Sequence, residues 1–329
     1  MNDNNVKTKE KIGQDFDFVK RAKTFAMISA AIILVGIIFN VIFGTNLDIQ
    51  FRGGTLISYT YTGDINKEEA ADKISEALGE SVNVDTSEDR ETGNKKITIA
   101  LAAIKSLSSE EQQSISDCLN ENYADNTIVL LESNSVDPTM GQEFFVKCLF
   151  AALIALLLII IYVAIRFRKI GGWTAGVMAI VALIIDILMS YFTFIIFKLP
   201  VDDSFIAVIL TILGYSMNDT IIVYDRVREN RKIMGPKEPL RNVVNKSINQ
   251  SFTRAINTAI ATFLAVGTVA IFAIVNNIDS IVTFALPMMI GVISGVYTSV
   301  FITGPVWALW REKMDKNRIA KGKKVKSKI

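Results

Sequence analysis

Six apolar runs dominate this chain of 329 residues. A bilayer core has no water, so each backbone N–H and C=O that crosses it must find its partner within the protein. For a single segment that leaves the α-helix, which rises about 1.5 Å per residue and spans about 30 Å of hydrocarbon in about 20 residues. The runs fall at 24–43, 143–165, 172–197, 204–225, 251–275 and 281–310, and each is read as a transmembrane helix. The last is long, and Pro287 and Pro305 stand where a kink or a stop is expected. The first is too long and starts too late for a cleaved leader, and no small-residue cleavage site follows it, so it is read as a retained span.

Charge orients these spans. Segment 44–140 carries eighteen acidic and seven basic residues. Segment 225–254 carries eight basic and three acidic residues, the tail 311–329 nine and two, and the turn Arg166–Lys169 three cations. Short loops rich in Lys and Arg stay in the cytoplasm. The reading is a cytoplasmic N-terminus (1–23), an extracytoplasmic domain (44–142), a cytoplasmic loop (226–250) and a basic cytoplasmic tail (311–329). That tail suits anionic lipid better than nucleic acid, and no nucleic-acid partner is expected.

The chain has no histidine. His-ligated metal sites and Ser/His or Cys/His catalysis are therefore excluded within it. Cys118 and Cys148 fall in different regions and are read as free thiols.

Between the first two spans the pattern becomes that of a small soluble domain. Thr55–Thr62, Ser81–Thr86, Lys96–Ala103 and Thr127–Ser135 read as strands. Asn66–Leu78 and Ser108–Asn122 read as helices, the second opened by a capping box of Ser108 and Glu111. The order β-α-β-β-α-β is the ferredoxin-like split motif. The fold class is thus a polytopic α-helical membrane protein with one α+β extracytoplasmic domain. Gly53 and Gly54 mark the start of that domain and are read as a turn after the first span.

Ionisable residues inside spans are costly and mark function or packing. Asp219 lies two thirds along its run, beside Tyr215, Ser216 and Asn218, and Asp186 lies mid-run between Ile185 and Ile187. Either aspartate serves as a proton site or as a hydrogen-bonded packing group. Arg254 opens the fifth span ahead of Asn257 and Thr258, where it either snorkels to the interface or joins a carboxylate. Gly291, Ser294, Gly295, Thr298 and Ser299 of the sixth span, like Ala255, Thr258, Ala259 and Thr262 of the fifth, form small-residue faces that permit close helix packing.

These residues together resemble a known family. Gly214-Tyr215-Ser216-Met217-Asn218-Asp219 running on to Asp225-Arg226-Val227-Arg228-Glu229-Asn230, the segment Ser247–Thr258 around Arg254, Phe51 with Gly53-Gly54, and Gly291–Ser299 are similar to the SecF branch of the SecD/SecF family, in the resistance-nodulation-division (RND) superfamily. The resemblance covers essentially the whole chain. It implies a Sec-translocon accessory subunit that acts with SecD, driven by a proton or sodium gradient, to promote late protein export. It also implies no hydrolytic chemistry and no cofactor beyond the transported ion. Implied partners are SecD, the SecYEG channel with its SecA motor, YajC and YidC, the unfolded polypeptide and membrane lipid. It places Asp219, Arg254 and Asp186 in the ion path.

The sequence departs from the family pattern at Ile185, where histidine is frequent, at Gln50, where aspartate is usual, and at Ala255 and Ala259, where hydroxyl residues are frequent. Two other functions compete. An independent RND-type exporter usually has twelve spans and two outer domains, twice what is found here. An intramembrane aspartyl protease needs a carboxylate pair sharing a proton, and the Gly-x-Gly-Asp motif of such proteases is absent.

Overall fold

The computed structural model describes residues 16–79, 82–88, 95–101, 108–124, 126–136, 138–168, 171–276 and 278–320. Among these, six helices are long and apolar enough to cross a membrane. They are α1 (Phe18–Phe43), α5 (Pro138–Arg166), α6 (Gly172–Ile196), α7 (Asp203–Met234), α8 (Leu240–Val275) and a composite last span. That span joins α9 (Asp279–Tyr297), a π-helical turn (Thr298–Thr303) and α10 (Gly304–Ala320).

The helices sort into a centre and a rim. α6, α7 and the last span bury 56% of their most apolar window, whereas α1, α5 and α8 bury 11%. The rim helices turn side chains such as Val41, Leu153 and Leu264 outward, as apolar lipid permits. The bundle core is packed around Trp307, Tyr224 and Phe167, all fully buried.

The domain after α1 has the expected split motif. β1 (Gly54–Tyr61), α3 (Lys67–Leu78), β2 (Val82–Glu88), β3 (Lys95–Leu101), α4 (Ser109–Asn122) and β4 (Val129–Val136) follow in that order. The sheet is antiparallel in the order β2-β3-β1-β4, with Ile57 paired to Ile99 and Ser133. Alternate residues Ile57, Tyr59, Ile97 and Ile99 point at α3 and α4 and close a core separate from the bundle's. Ser108 and Glu111 form the capping box reciprocally, and Asn66 caps α3.

Four features differ from the sequence reading. First, a short helix α2 (Ile49–Arg52) precedes the domain. Gly53 ends it at φ +79°, giving its N–H to the Ile49 carbonyl at 2.8 Å. A Cβ on Gly54, at φ +137°, would fall 2.4 Å from the Leu101 carbonyl oxygen. The two glycines are therefore more than a plain turn. They let β1 join the sheet while Phe51 packs on Phe145 of α5 at 5.1 Å between ring centres. The connection is tied to the bundle again where Val201 donates to Asn46 and Asp48 donates to Val201.

Second, the segment 226–250 is not a loop. α7 continues to Met234 and α8 begins at Leu240, so only Gly235–Pro239 is irregular. The charged turns stay helical because their side chains pair. Arg226 meets Glu229 at 2.6 Å and Gln250 at 2.8 Å, and the buried Asn230 donates to Ser247 at 2.9 Å. Third, the tail is helical through Ala320, and residues 321–329 lie outside the described residues. Fourth, Pro287 is accommodated inside α9 rather than ending it. Pro305 instead stands beyond the π-helical turn, separated from it by Gly304. Proline offers no N–H to the carbonyl four residues back and its ring crowds that carbonyl, and the wider turn over Thr298–Thr303 stands where that conflict would arise.

Candidate functional site

Asp186 of α6 is fully buried at the centre of the bundle. Its neighbours on α7 and the last span supply hydroxyls rather than cations. Ser216 donates to Oδ2 at 2.5 Å and Ser294 donates to Oδ1 at 2.5 Å. Thr298 lies 2.9 Å from both oxygens. Small residues make the cage possible. A Cβ on Gly295 would come within 3.1 Å of the Ser216 Cβ, so α7 and α9 meet closely at this level.

The polar contacts continue away from the sheet domain. Ser299 donates to the Ser216 carbonyl at 3.2 Å and shares a hydrogen bond with Thr220 at 2.9 Å. Thr303 reaches back to the Thr298 carbonyl at 3.0 Å, and one turn below Thr220 the Tyr224 hydroxyl donates to the Ala175 carbonyl at 3.1 Å. A ladder of hydroxyls thus starts at Asp186 and follows the π-helical turn. Such turns often lie at functional sites. Irregular backbone at membrane depth is tolerated where it is buried or lines a cavity.

Asp219 is placed differently. It is 3% exposed, and its Oδ2 is buried without a hydrogen-bond partner. Arg254 does not pair with it. That guanidinium is exposed and lines an open cleft of about 560 Å³ with Asp225, Arg228, Glu229, Lys232 and Gln250. The Asp/Arg pair suggested by the resemblance is therefore separated in this conformation, while Asp186 and Ser216 are brought together.

The remaining candidates take structural positions. Asp225 ties α7 to α5 through Arg166 at 3.1 Å and to its own helix through Arg228 at 2.9 Å. Tyr215 packs against the cluster of Val208, Ile212, Met288 and Val292, with its hydroxyl near Thr262. Asn218 and Asn257 are exposed, and Thr258 bonds back to the Arg254 carbonyl at 2.9 Å. None of these three touches either aspartate.

Four hydroxyl residues were not picked out as site residues by the sequence reading: Ser294, Thr298, Ser299 and Thr220. The first three did stand out there as a small-residue face. Their spacing matched packing, and only the register between helices shows that they also donate.

Residues 116–313, which hold every one of these contacts, match the family of protein export membrane proteins SecD/SecF, C-terminal region. The chain belongs to the SecD/SecF family. It is 30% identical over 301 residues to the protein translocase subunit SecF of Alicyclobacillus acidocaldarius, covering 91% of this chain and 94% of that one. It is 35% identical over 301 residues to the protein translocase subunit SecDF of Bacillus subtilis, but spans only 38% of that longer chain. The crystal structure of SecDF from Thermus thermophilus, a translocon-associated membrane protein, matches at a TM-score of 0.74 and 26% identity. That match covers 91% of this chain and 39% of the other. SecD/SecF proteins of the SecF kind are thus similar along their whole length, and those of the SecDF kind along about two fifths. The chain is accordingly a multi-pass membrane protein of a protein-translocase family.

Proposed function

We propose that the chain is a SecF-type subunit that pairs with a SecD half and uses an ion gradient to promote protein export across the cytoplasmic membrane. The observation that carries this is the pair of buried carboxylates in the central helices, Asp186 caged by hydroxyls and Asp219 lacking a partner on Oδ2. A carboxylate within a bilayer costs several kcal/mol and persists where it has work to do. The proposed ion is the proton, with sodium as the alternative that the same oxygen-rich cage would accept.

An ion does work only if two conformations bind it differently. Asp219 and Arg254 offer such a difference. Here the guanidinium is in the open cleft and acts on Asp219 only through space, with no ion pair between the two. In the proposed second state Arg254 pairs with Asp219 and displaces the proton toward the Asp186 ladder. One charge crossing 100 mV supplies about 2.3 kcal/mol. A few such steps suffice to bias the position of the sheet domain against a retracting polypeptide. The basic far end of the bundle faces the cytoplasm, and the sheet domain faces outward. SecYEG with SecA, and YajC or YidC, are the proposed wider partners. The chain itself carries out no hydrolysis.

The test is export into inverted membrane vesicles with and without an imposed gradient, in membranes where assembly with SecD is verified. Asp219→Asn and Arg254→Ala are expected to remove the gradient-stimulated part and leave the ATP-driven part. Unchanged stimulation in both variants would make these residues packing groups and the subunit a passive scaffold.

A further inference from the structure

A second groove lies where α5 ends, α6 begins and α10 passes, at the end of the bundle opposite the sheet domain. It encloses about 560 Å³, and its walls include Ile161, Ile165, Arg168, Trp173, Thr174 and Arg311. Its upper wall is apolar and outward-facing, with Ile165 69% and Trp173 75% exposed. Exposed tryptophan at the end of a span is the usual mark of the membrane–water boundary. Its lower rim is cationic.

The rim is built by the turn before α6. Gly171 has φ +99°, and a Cβ there would fall 2.2 Å from Nη1 of Arg311. A Cβ on Gly172 would fall 2.4 Å from the Ala164 carbonyl oxygen. The two glycines therefore let α6 start against α5 and let the Arg311 guanidinium lie across the turn. Its position is fixed from below, because Thr174 Oγ1 accepts from Trp307 Nε1 at 3.0 Å and faces Arg311 Nη1 at 3.5 Å. Asp315 approaches only to 4.0 Å. A guanidinium has five N–H donors. Among the described residues no other acceptor reaches the guanidinium, and the side chain is 21% exposed. Arg168 is exposed nearby, and none of the ion pairs among the described residues includes it. The cleft between α7 and α8 differs in holding carboxylates as well, Asp225 and Glu229, which pair with Arg228 and Arg226.

We propose that this groove seats one anionic phospholipid, its phosphate between Arg168 and Arg311 and one acyl chain along Ile161 and Ile165. Three properties meet here that a diacyl phosphate ester needs together: a cationic rim with unused donors, an aliphatic wall directly above it, and a level in the bundle where headgroup and chain part. Basic pockets between transmembrane helices hold lipid headgroups for this reason. The inference does not rest on the ion path.

The experiment is native mass spectrometry of the full-length chain released from neutral micelles, titrated with phosphatidylglycerol or with phosphatidylcholine of the same chains. Wild type is expected to retain one phosphatidylglycerol saturably, in preference to phosphatidylcholine. Arg168→Gln should weaken that adduct about fivefold, and Arg168→Gln with Arg311→Gln about 25-fold, at the usual gain per basic residue near an anionic surface. Because Arg168 is exposed and makes no ion pair among the described residues, its single variant reads out binding even if Arg311→Gln disturbs the turn. A third variant replaces Lys321, Lys323, Lys324, Lys326 and Lys328 by Gln and should leave the saturable adduct intact. Equal retention of both lipids, an unaffected Arg168→Gln variant, loss of the adduct in the tail variant, or its displacement by millimolar inorganic phosphate would each overturn the proposal.

Discussion

Thr298 lies within hydrogen-bond distance of both oxygens of Asp186, and Ser216 and Ser294 take one oxygen each. Hydrogen bonds to a charged group contribute about 1.5–3 kcal/mol, more than neutral ones. Thr298→Val keeps the shape and removes one donor. Asp186→Asn keeps the shape and removes the charge. A double-mutant cycle on these two, read by thermal unfolding in mild detergent, is expected to show coupling of about 1.5–3 kcal/mol. Additive effects would mean that the hydroxyl packs beside the carboxylate without bonding to it. At the same level, Gly295→Val would drive a branch toward Ser216 Cα, 3.4 Å from the Gly295 Cβ position. Overpacking of this kind costs about 1–3 kcal/mol, and the variant should melt correspondingly earlier. The aspartates were legible in the sequence because a charge inside an apolar run has few explanations. The hydroxyls were not, because a serine that packs and a serine that donates occupy the same helical spacing. Only the alignment of α6, α7 and α9 separates them.

The sheet domain has its own core, and its two ends, Gly54 and Val136, are paired across neighbouring strands. A fragment of residues 54–136 is therefore expected to fold alone, with one cooperative melt by circular dichroism. Ile97 is fully buried there, and Ile97→Ala should cost about 2–5 kcal/mol, enough to unfold so small a domain. At the junction, Asp202 caps α7 by accepting from the Ser204 N–H at 3.0 Å. Burial, with the charges of Asp203 and then Asp48, holds its carboxyl above the ordinary carboxylate range. The folded state thus binds this proton more tightly than the unfolded chain. The stabilisation it gives is complete below the unfolded pKa and is lost as pH rises through the raised one. Asp202→Asn keeps the cap, since Asn and Asp cap equally well. It should flatten the decline of melting temperature across the mildly acidic range, and an unchanged slope would assign the decline to other groups. The order of strands and helices along the chain and one cap were readable from alternation and from Ser108 with Glu111; the Asn66 cap was not. α2 and the π-helical turn were not: α2 is a single turn whose Asp48 and Gly53 ends look like those of a loop, and the π-helical turn has no local signal. The first is stabilised by Phe51 packing on α5, and the second by a proline whose effect depends on what surrounds it.

At the scale of the whole molecule, one face of the bundle is unsuited to lipid. Along α7 the exposed positions include Thr211, Gly214 and Asn218, and along α8 Arg254, Asn257, Thr258 and Thr268. A Cβ on Gly214 would meet nothing within 4 Å. The rim helix α5, by contrast, exposes Leu153, Ile154, Leu157 and Leu158. Amides facing hydrocarbon without partners are costly, whereas small and polar residues are what membrane helices present to one another. The sheet repeats the pattern at its own edge, where β4 is unpaired on one side and exposes Val129, Leu130 and Leu131. Both surfaces suit a protein partner, and the SecDF relatives are longer chains of which this one spans about two fifths. Asn218→Trp should then prevent co-purification with SecD, because a bulky ring would occupy the space where another helix must approach. It should leave the unfolding free energy of the isolated chain within about 0.5 kcal/mol of wild type, as exposed substitutions do. Leu153→Trp on α5 is the control and should leave assembly intact. If Asn218→Trp assembles normally and Leu153→Trp does not, the partner lies against α5, and the polar face of α7 and α8 is open to water instead. In that case Asp219, one residue beyond Asn218, would be reached from that side rather than through the hydroxyl ladder.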